Sequence, residues 1–124
     1  LGTAYQIYDD CIDLVGQASA IGKPLGTDLK QGKLPLPILN LLDSATDSQR
    51  TRLNRMLVQQ EPIDLNVLAG IADYAGALEA AVGTGRAMLG NARQDLKVLP
   101  DNAFSAALNQ ITLYLDGLLA GCLP

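Results

Sequence analysis

Histidine and tryptophan are absent from this 124-residue chain, phenylalanine occurs once and cysteine twice. Without histidine the chain lacks the usual general base near neutral pH, which excludes a Ser-His-Asp arrangement and most zinc sites. Cys11 and Cys122 form no CxxC pair and sit in apolar helical patterns, so they are read as two reduced, buried thiols. Charge is scarce and one-sided: charged residues make up 18 %, the net charge is −4 and the pI is near 4.5. Such a balance provides no basic patch for nucleic acid, which is therefore not an expected partner. No uninterrupted apolar run reaches membrane-spanning length and no charged-then-apolar leader opens the chain, so no membrane span and a cytoplasmic location are expected. What is present is apolar: 48 % hydrophobic residues suit one folded domain, or part of one, with a buried core.

Helical periodicity dominates, and no stretch shows sustained strand alternation. The first 16 residues read as a helix with Tyr5, Tyr8, Ile12 and Val15 as its packed stripe. Gly2, Gln6, Asp9, Asp10 and Asp13 fall on a second stripe, displaced by roughly 130°. This helix begins at Leu1 without a capping residue, which is read as a start inside a helix and hence as a fragment of something longer. Residues 17–36 hold Gly22, Pro24, Gly26 and Gly32 and read as an ordered loop. Helices are expected at Pro37–Leu42, from a cap at Asp47 or Ser48 to about Gln60, and at Asp64–Tyr74. Two long, antiparallel helices follow. One repeats Leu78, Val82, Gly85, Leu89, Ala92, Leu96 and Leu99; the other repeats Phe104, Leu108, Ile111, Leu115, Leu118 and Cys122. Pro100-Asp101-Asn102 separates them and offers a cap. The architecture is an all-α helical bundle.

The chemistry is concentrated near the start. Asp9, Asp10 and Asp13 lie on one short helical stretch, and no basic residue precedes Lys23 to neutralise them. Like charges at these spacings repel, so the pattern calls for a cation. Hard oxygen donors without histidine or thiolate suit Mg²⁺, with Mn²⁺ as the alternative. Since Mg²⁺ takes one or two carboxylates and keeps positions for phosphate oxygens, the cluster suits a diphosphate handle rather than a closed cage. Lys23 and Lys33 supply point charges for phosphate, the loop glycines allow the backbone close to a ligand, and Asp28 can hold a metal-bound water. The bland reading of DDxxD alone is a solvated acidic face, and of the loop alone a surface connection. The two features joined carry the functional reading.

The stretch Gly2-Thr3-Ala4-Tyr5-Gln6-Ile7-Tyr8-Asp9-Asp10-Cys11-Ile12-Asp13, continued by Gly22-Lys23, Gly26-Thr27-Asp28, Gly32-Lys33 and Leu36-Pro37, resembles the second aspartate-rich region of the trans-isoprenyl (polyprenyl) diphosphate synthases. The resemblance implies the C-terminal part of an isoprenoid-synthase-type fold: an aspartate-rich helix at 1–16, a diphosphate loop at 17–36 and C-terminal helices at 37–124. It implies a Mg²⁺-dependent, head-to-tail condensation of isopentenyl diphosphate with an allylic diphosphate. Asp9 and Asp13 would then be metal ligands with Asp10 supporting them, and Asp28 would hold a metal-bound water. Lys23 and Lys33 would contact the allylic diphosphate, and Gln6 would lie beside the reacting ends. The family's first aspartate-rich motif and its upstream basic residues have no counterpart here, and Tyr5 stands where Phe is usual. The chain is thus expected to be inactive alone and to self-associate or join another synthase chain. The alternative is a non-catalytic helical subunit or interaction module.

Overall fold

The computed structural model describes residues 1–19, 34–59 and 65–123. Among these there are six helices and no strand: α1 (Gly2–Ser19), α2 (Leu36–Ser44), α3 (Asp47–Val58), α4 (Leu65–Ile71), α5 (Tyr74–Leu96) and α6 (Ala103–Ala120). The all-α expectation therefore holds. None of these helices is long and apolar enough to cross a membrane.

Local sequence chemistry sets most helix ends. Thr46 caps α3 in a reciprocal box, its hydroxyl accepting from the Gln49 N–H at 3.3 Å while the Gln49 side chain accepts from the Thr46 N–H at 2.9 Å. The cap is thus one residue before the Asp47 or Ser48 expected. Arg50 reaches back from α3 to the last turn of α2, donating to the Leu42 carbonyl at 3.0 Å and the Ala45 carbonyl at 3.3 Å. These are carbonyls that a helix end leaves without partners. Asn102 caps α6, accepting from the N–H groups of Phe104 and Ser105 at 3.0 Å each, as the Pro100-Asp101-Asn102 break predicts. The single helix expected over Asp64–Tyr74 is instead cut at Ile71. Asp73 accepts from the Gly76 N–H at 3.0 Å and starts a new helix, so Tyr74 opens α5.

α5 is the spine, with α1, α2 and α6 all packed against it. Two clusters of buried side chains result. One joins Leu14 of α1 to Ile38, Leu41, Leu53, Leu57, Leu68 and Ala77; the other joins Ala4, Ile7 and Cys11 of α1 to Leu78, Ala81, Val82, Leu89, Leu115 and Leu119. α5 and α6 run antiparallel, since Gly85 meets Leu119 and Arg86 pairs with Asp116. Gly85 permits this approach: a Cβ there would lie 2.9 Å from Leu119 Cδ1 and 3.3 Å from Ile7 Cγ2.

The expected stripe on α1 is displaced by one residue, and the one on α6 is displaced in part. On α1 the buried positions are Ala4, Ile7, Cys11 and Leu14, whereas Tyr5 is 51 % exposed, Ile12 is exposed and Tyr8 is half-buried. The side chain of Val15 lies outside what is described. The physical reason is the close α1–α5 contact, where Ala81 and Gly85 favour compact partners over tyrosine rings. On α6 the buried positions are Ser105, Thr112, Leu115 and Leu119; of the expected stripe Leu115, and Cys122 just beyond the helix, are buried, while Phe104 is 82 % exposed and Ile111 is also exposed. The two hydroxyls can sit inside because nearby backbone carbonyls satisfy them, within the helix for Thr112 and in the turn before it for Ser105. Thr112 donates to the Asn109 carbonyl at 2.7 Å, and Ser105 to the Pro100 carbonyl at 2.9 Å. Leu99 falls beyond the end of α5 and is exposed.

Candidate functional site

Gln6, Asp9 and Asp10 all lie on α1, on the side away from the Ala4–Ile7–Cys11 seam, with Gln6 exposed and both carboxylates half-buried. The two acids differ in what they touch. Asp10 is engaged at both oxygens: Oδ1 accepts from Gln6 Nε2 at 3.4 Å, and Oδ2 accepts from the Leu36 N–H at 3.3 Å. Asp9 has no hydrogen bond or ion pair among the described residues. A half-buried carboxylate without a partner is the more available of the two for a cation. Asp13 lies one turn further along the α1 backbone, and its side chain is outside the described set.

The Asp10–Leu36 bond has a reason in the sequence Pro35-Leu36-Pro37. Neither proline has an N–H, so Leu36 carries the first amide of α2 that needs an acceptor. Asp10 provides it and places a negative charge at the helix start, where the backbone dipole favours one. Lys23, Asp28 and Lys33, with the 20–33 part of the loop expected over 17–36, lie outside the described residues; of the remainder, residues 17–19 belong to α1 and Leu36 to α2 instead. Asp10 as an anchor rather than a free ligand was not read from the sequence. The proline pair flanking one amide is the signal that could have found it.

The surroundings are apolar and aromatic. Tyr5 and Tyr8 stack obliquely, with ring centroids 6.3 Å apart at 46°. The Tyr8 phenol is held above its ordinary value, by burial first and then by Cys122, Tyr114, Asp9 and Tyr5. Behind the acidic face, Cys11 and Cys122 are free and buried in the same cluster, as their apolar context predicts. Burial pushes the Cys11 thiol up to about 12, with help from Cys122 and Asp10. Burial raises the Cys122 thiol too, so the thiolate form of both is disfavoured.

Among the described residues, no three acidic or thiol side chains converge on a metal-sized point. Asp9 and Asp10 alone offer hard oxygen donors, which is the chemistry that Mg²⁺ prefers, so the residues present fit that ion. At the opposite side of the α5–α6 seam, Arg86 grips Asp116 through two bonds of 2.9 and 3.1 Å. The pair raises the arginine's pKa and lowers that of the carboxyl. Asp116 is the only charged residue in α6, and the ion pair occupies it.

Comparison with known proteins gives the family of the chain. Residues 1–73 match the family model described as polyprenyl synthetase. The chain is 31 % identical to the all-trans-nonaprenyl-diphosphate synthase (geranyl-diphosphate specific) of Rhodobacter capsulatus over 116 residues, covering 93 % of this chain and 36 % of that protein. It is 31 % identical to the short chain isoprenyl diphosphate synthase of Methanothermobacter thermautotrophicus, over 90 % of this chain and 34 % of that protein. Against heptaprenyl diphosphate synthase component 2 of Bacillus subtilis the identity is also 31 %, over 93 % of this chain and 32 % of that protein. The chain thus spans about a third of the length of the curated relatives it matches. No solved structure is significantly similar to it. With more than half of its residues matched by one family model, the chain belongs to the polyprenyl synthetase family.

Proposed function

We propose that this chain carries one of two metal-diphosphate half-sites of a polyprenyl diphosphate synthase, the C-terminal one, and is inactive by itself. The supporting observation is Asp9, half-buried and without a partner among the described residues, on α1 beside an Asp10 that holds the start of α2. In this reading Asp9 and Asp13 hold Mg²⁺, Asp10 positions the helix and loop around them, and Asp28 holds a metal-bound water. Lys23 and Lys33 bind the allylic diphosphate, and Gln6 faces the reacting ends. The ion supplies charge stabilisation for the departing diphosphate. The substrates would be an allylic diphosphate and isopentenyl diphosphate, joined head to tail.

Isothermal titration with Mg²⁺ and inorganic pyrophosphate tests the half-site. Binding is expected for the unaltered chain and loss of binding for Asp9→Ala. No binding, or equal binding by both, removes the assignment. A prenyl-transfer assay on the chain alone should show no turnover, and robust activity would show that no second half-site is needed. The exposed apolar side chains of α1 and α6 also suit the alternative of a non-catalytic subunit of a synthase assembly. The titration separates the two, because such a subunit has no need to bind the metal diphosphate.

A further inference from the structure

The polar flank of the α5–α6 seam repeats itself, and one of its repeats is incomplete. Arg86 of α5 holds Asp116 of α6 through bonds of 2.9 and 3.1 Å. The helices are antiparallel, so seven residues forward on α5 and seven back on α6 return to the same flank, about 10 Å along the seam. That step carries Arg86 to Arg93 and Asp116 to Asn109. A second arginine thus stands opposite a neutral amide where the first has a carboxylate. Arg93 is half-buried, and its Nη1 is buried with no hydrogen-bond partner. It helps to lower the Asp116 carboxyl through space, but both Asp116 oxygens are bonded to Arg86. The Asn109 side chain, also half-buried, makes no hydrogen bond among the described residues, and its backbone carbonyl accepts from Thr112 at 2.7 Å. One turn on, Lys97 is exposed and has no ion pair among the described residues. One turn back, Gly90 leaves the flank open, since a Cβ there would meet nothing within 4 Å.

We infer that Arg93, Asn109 and Lys97 bind a phosphate group at this seam, with Arg93 at the centre. The ordinary explanation is that basic residues in the last turn of a helix answer its dipole. Here the start of α6 stands beside the end of α5, so opposite ends of two dipoles meet and offset each other. A guanidinium serving a dipole also has no need to bury an unpaired N–H, and a buried donor without an acceptor is costly. The guanidinium presents a fixed fork of donors that matches phosphate oxygens two at a time. The Asn109 amide adds a neutral donor, and Lys97 adds the second positive charge. Two cations balance a phosphate monoester, which carries about −1.5 to −2 near neutral pH. A carboxylate brings one charge and would leave Lys97 unanswered. Asp116 does not oppose the anion, because Arg86 matches its charge. The site lies on the α5–α6 seam, whereas Asp9 and Asp10 lie on α1, and it does not rest on the half-site reading.

The test is nuclear magnetic resonance of the full chain, titrated with inorganic phosphate in the absence of Mg²⁺. Lys23 and Lys33 also attract phosphate, so the readouts are the Arg93 Nε–H and the Asn109 side-chain amide, which belong to the seam alone. Both should shift and saturate together, while the Nε–H of Arg52, exposed on α3, stays in place. Arg93→Gln should weaken the saturable response of the Asn109 amide at least about tenfold. Asn109→Asp should give Arg93 the partner that Arg86 already has, raise the urea midpoint and abolish the response, and it serves where Arg93→Gln fails to fold. A parallel titration with phosphatidylcholine vesicles containing phosphatidic acid separates two sources of the group. A response to the vesicles alone assigns a lipid headgroup and a response to free phosphate assigns a soluble ligand; either supports the site. No response to either, a linear response shared by Arg52 (an adventitious ion only), or binding that survives Asn109→Asp overturns the inference. Asp9→Ala should leave the response unchanged, so this result stands or falls separately from the titration with Mg²⁺ and pyrophosphate.

Discussion

Gly85 tests the packing that brings the acidic helix onto the spine. Replacing it by alanine sets two effects against each other. In the interior of α5, alanine in place of glycine is worth about 0.5–1 kcal/mol through backbone entropy alone. Against this, the new Cβ would meet Leu119 Cδ1 at 2.9 Å and Ile7 Cγ2 at 3.3 Å, where α1, α5 and α6 converge. Inserting a methyl group into a filled contact costs typically ~1–3 kcal/mol. The nearer atom ends a flexible side chain, but Leu119 is fully buried and has little room to turn. Gly83 provides the control, because a Cβ there meets nothing within 4 Å on the same helix. Gly83→Ala should therefore stabilise the chain by about 0.5–1 kcal/mol, and Gly85→Ala should fall below it by about 1–2 kcal/mol. Urea unfolding followed by helical ellipticity reads the difference directly, since the two substitutions share composition and helix. Equal midpoints and slopes for the two variants would refute the three-helix contact, and with it the placement of Ile7 and its neighbour Gln6.

Other outcomes follow from the same geometry. Asp10→Ala should leave the Leu36 amide without its acceptor, costing about 1 kcal/mol and speeding hydrogen exchange at Leu36 specifically; unchanged exchange there would remove the anchoring role. Asn102→Ala should cost ~1 kcal/mol by uncapping α6, measurable as a lower urea midpoint without a change in slope. Cys11 should resist maleimide in the folded chain and react on unfolding. Because its folded value lies near 12, above the ordinary thiol value of 9.0, the unfolded chain loses its proton first as pH rises. Stability should therefore fall between those two values, and a flat urea midpoint there contradicts the burial of Cys11. For Asp116 the sign is opposite. Its lowered carboxyl value gives stability that is present above the ordinary carboxylate range and lost as pH falls through the lowered value; Asp116→Asn should flatten that acid limb.

Helix identity was legible in the sequence because periodicity, proline breaks and caps agree along most of the chain. The inward faces of α1 and α6 were harder, for a shared reason. Both helices are apolar on two sides, and size is a poor guide to which side is covered when a glycine-bearing spine approaches closely. Tyr5 and Phe104 look like core residues and stand outside, while Ala4 and Thr112 look dispensable and are fully buried. The α4–α5 break was missed because the stretch from Val67 to Ala72 is apolar without interruption, and only the carboxylate of Asp73 divides it from the apolar residues that follow. At the acidic cluster, the residue types and their common helix were legible, and Gln6, Asp9 and Asp10 are where the pattern puts them. The different occupations of Asp9 and Asp10 were not, because they depend on an amide 26 positions away in the chain.

The Asp73 cap also constrains the order in which this sequence can change. The Asp73 carboxylate lies against Gly76, in the space that any larger residue's Cβ would need. Alanine at 76 therefore turns the Asp73 carboxylate aside and weakens its cap, while loss of Asp73 makes alanine at 76 acceptable and even favourable to α5. Two substitutions that are individually harmful become close to neutral together, and a single ancestor at this pair can reach the alternative by one path more easily than by the other. Comparing Asp73→Ala, Gly76→Ala and the double variant would show that dependence as a non-additive coupling. The start of the longest helix is thus a place where the history of substitutions, and not only their identity, decides what the fold accepts.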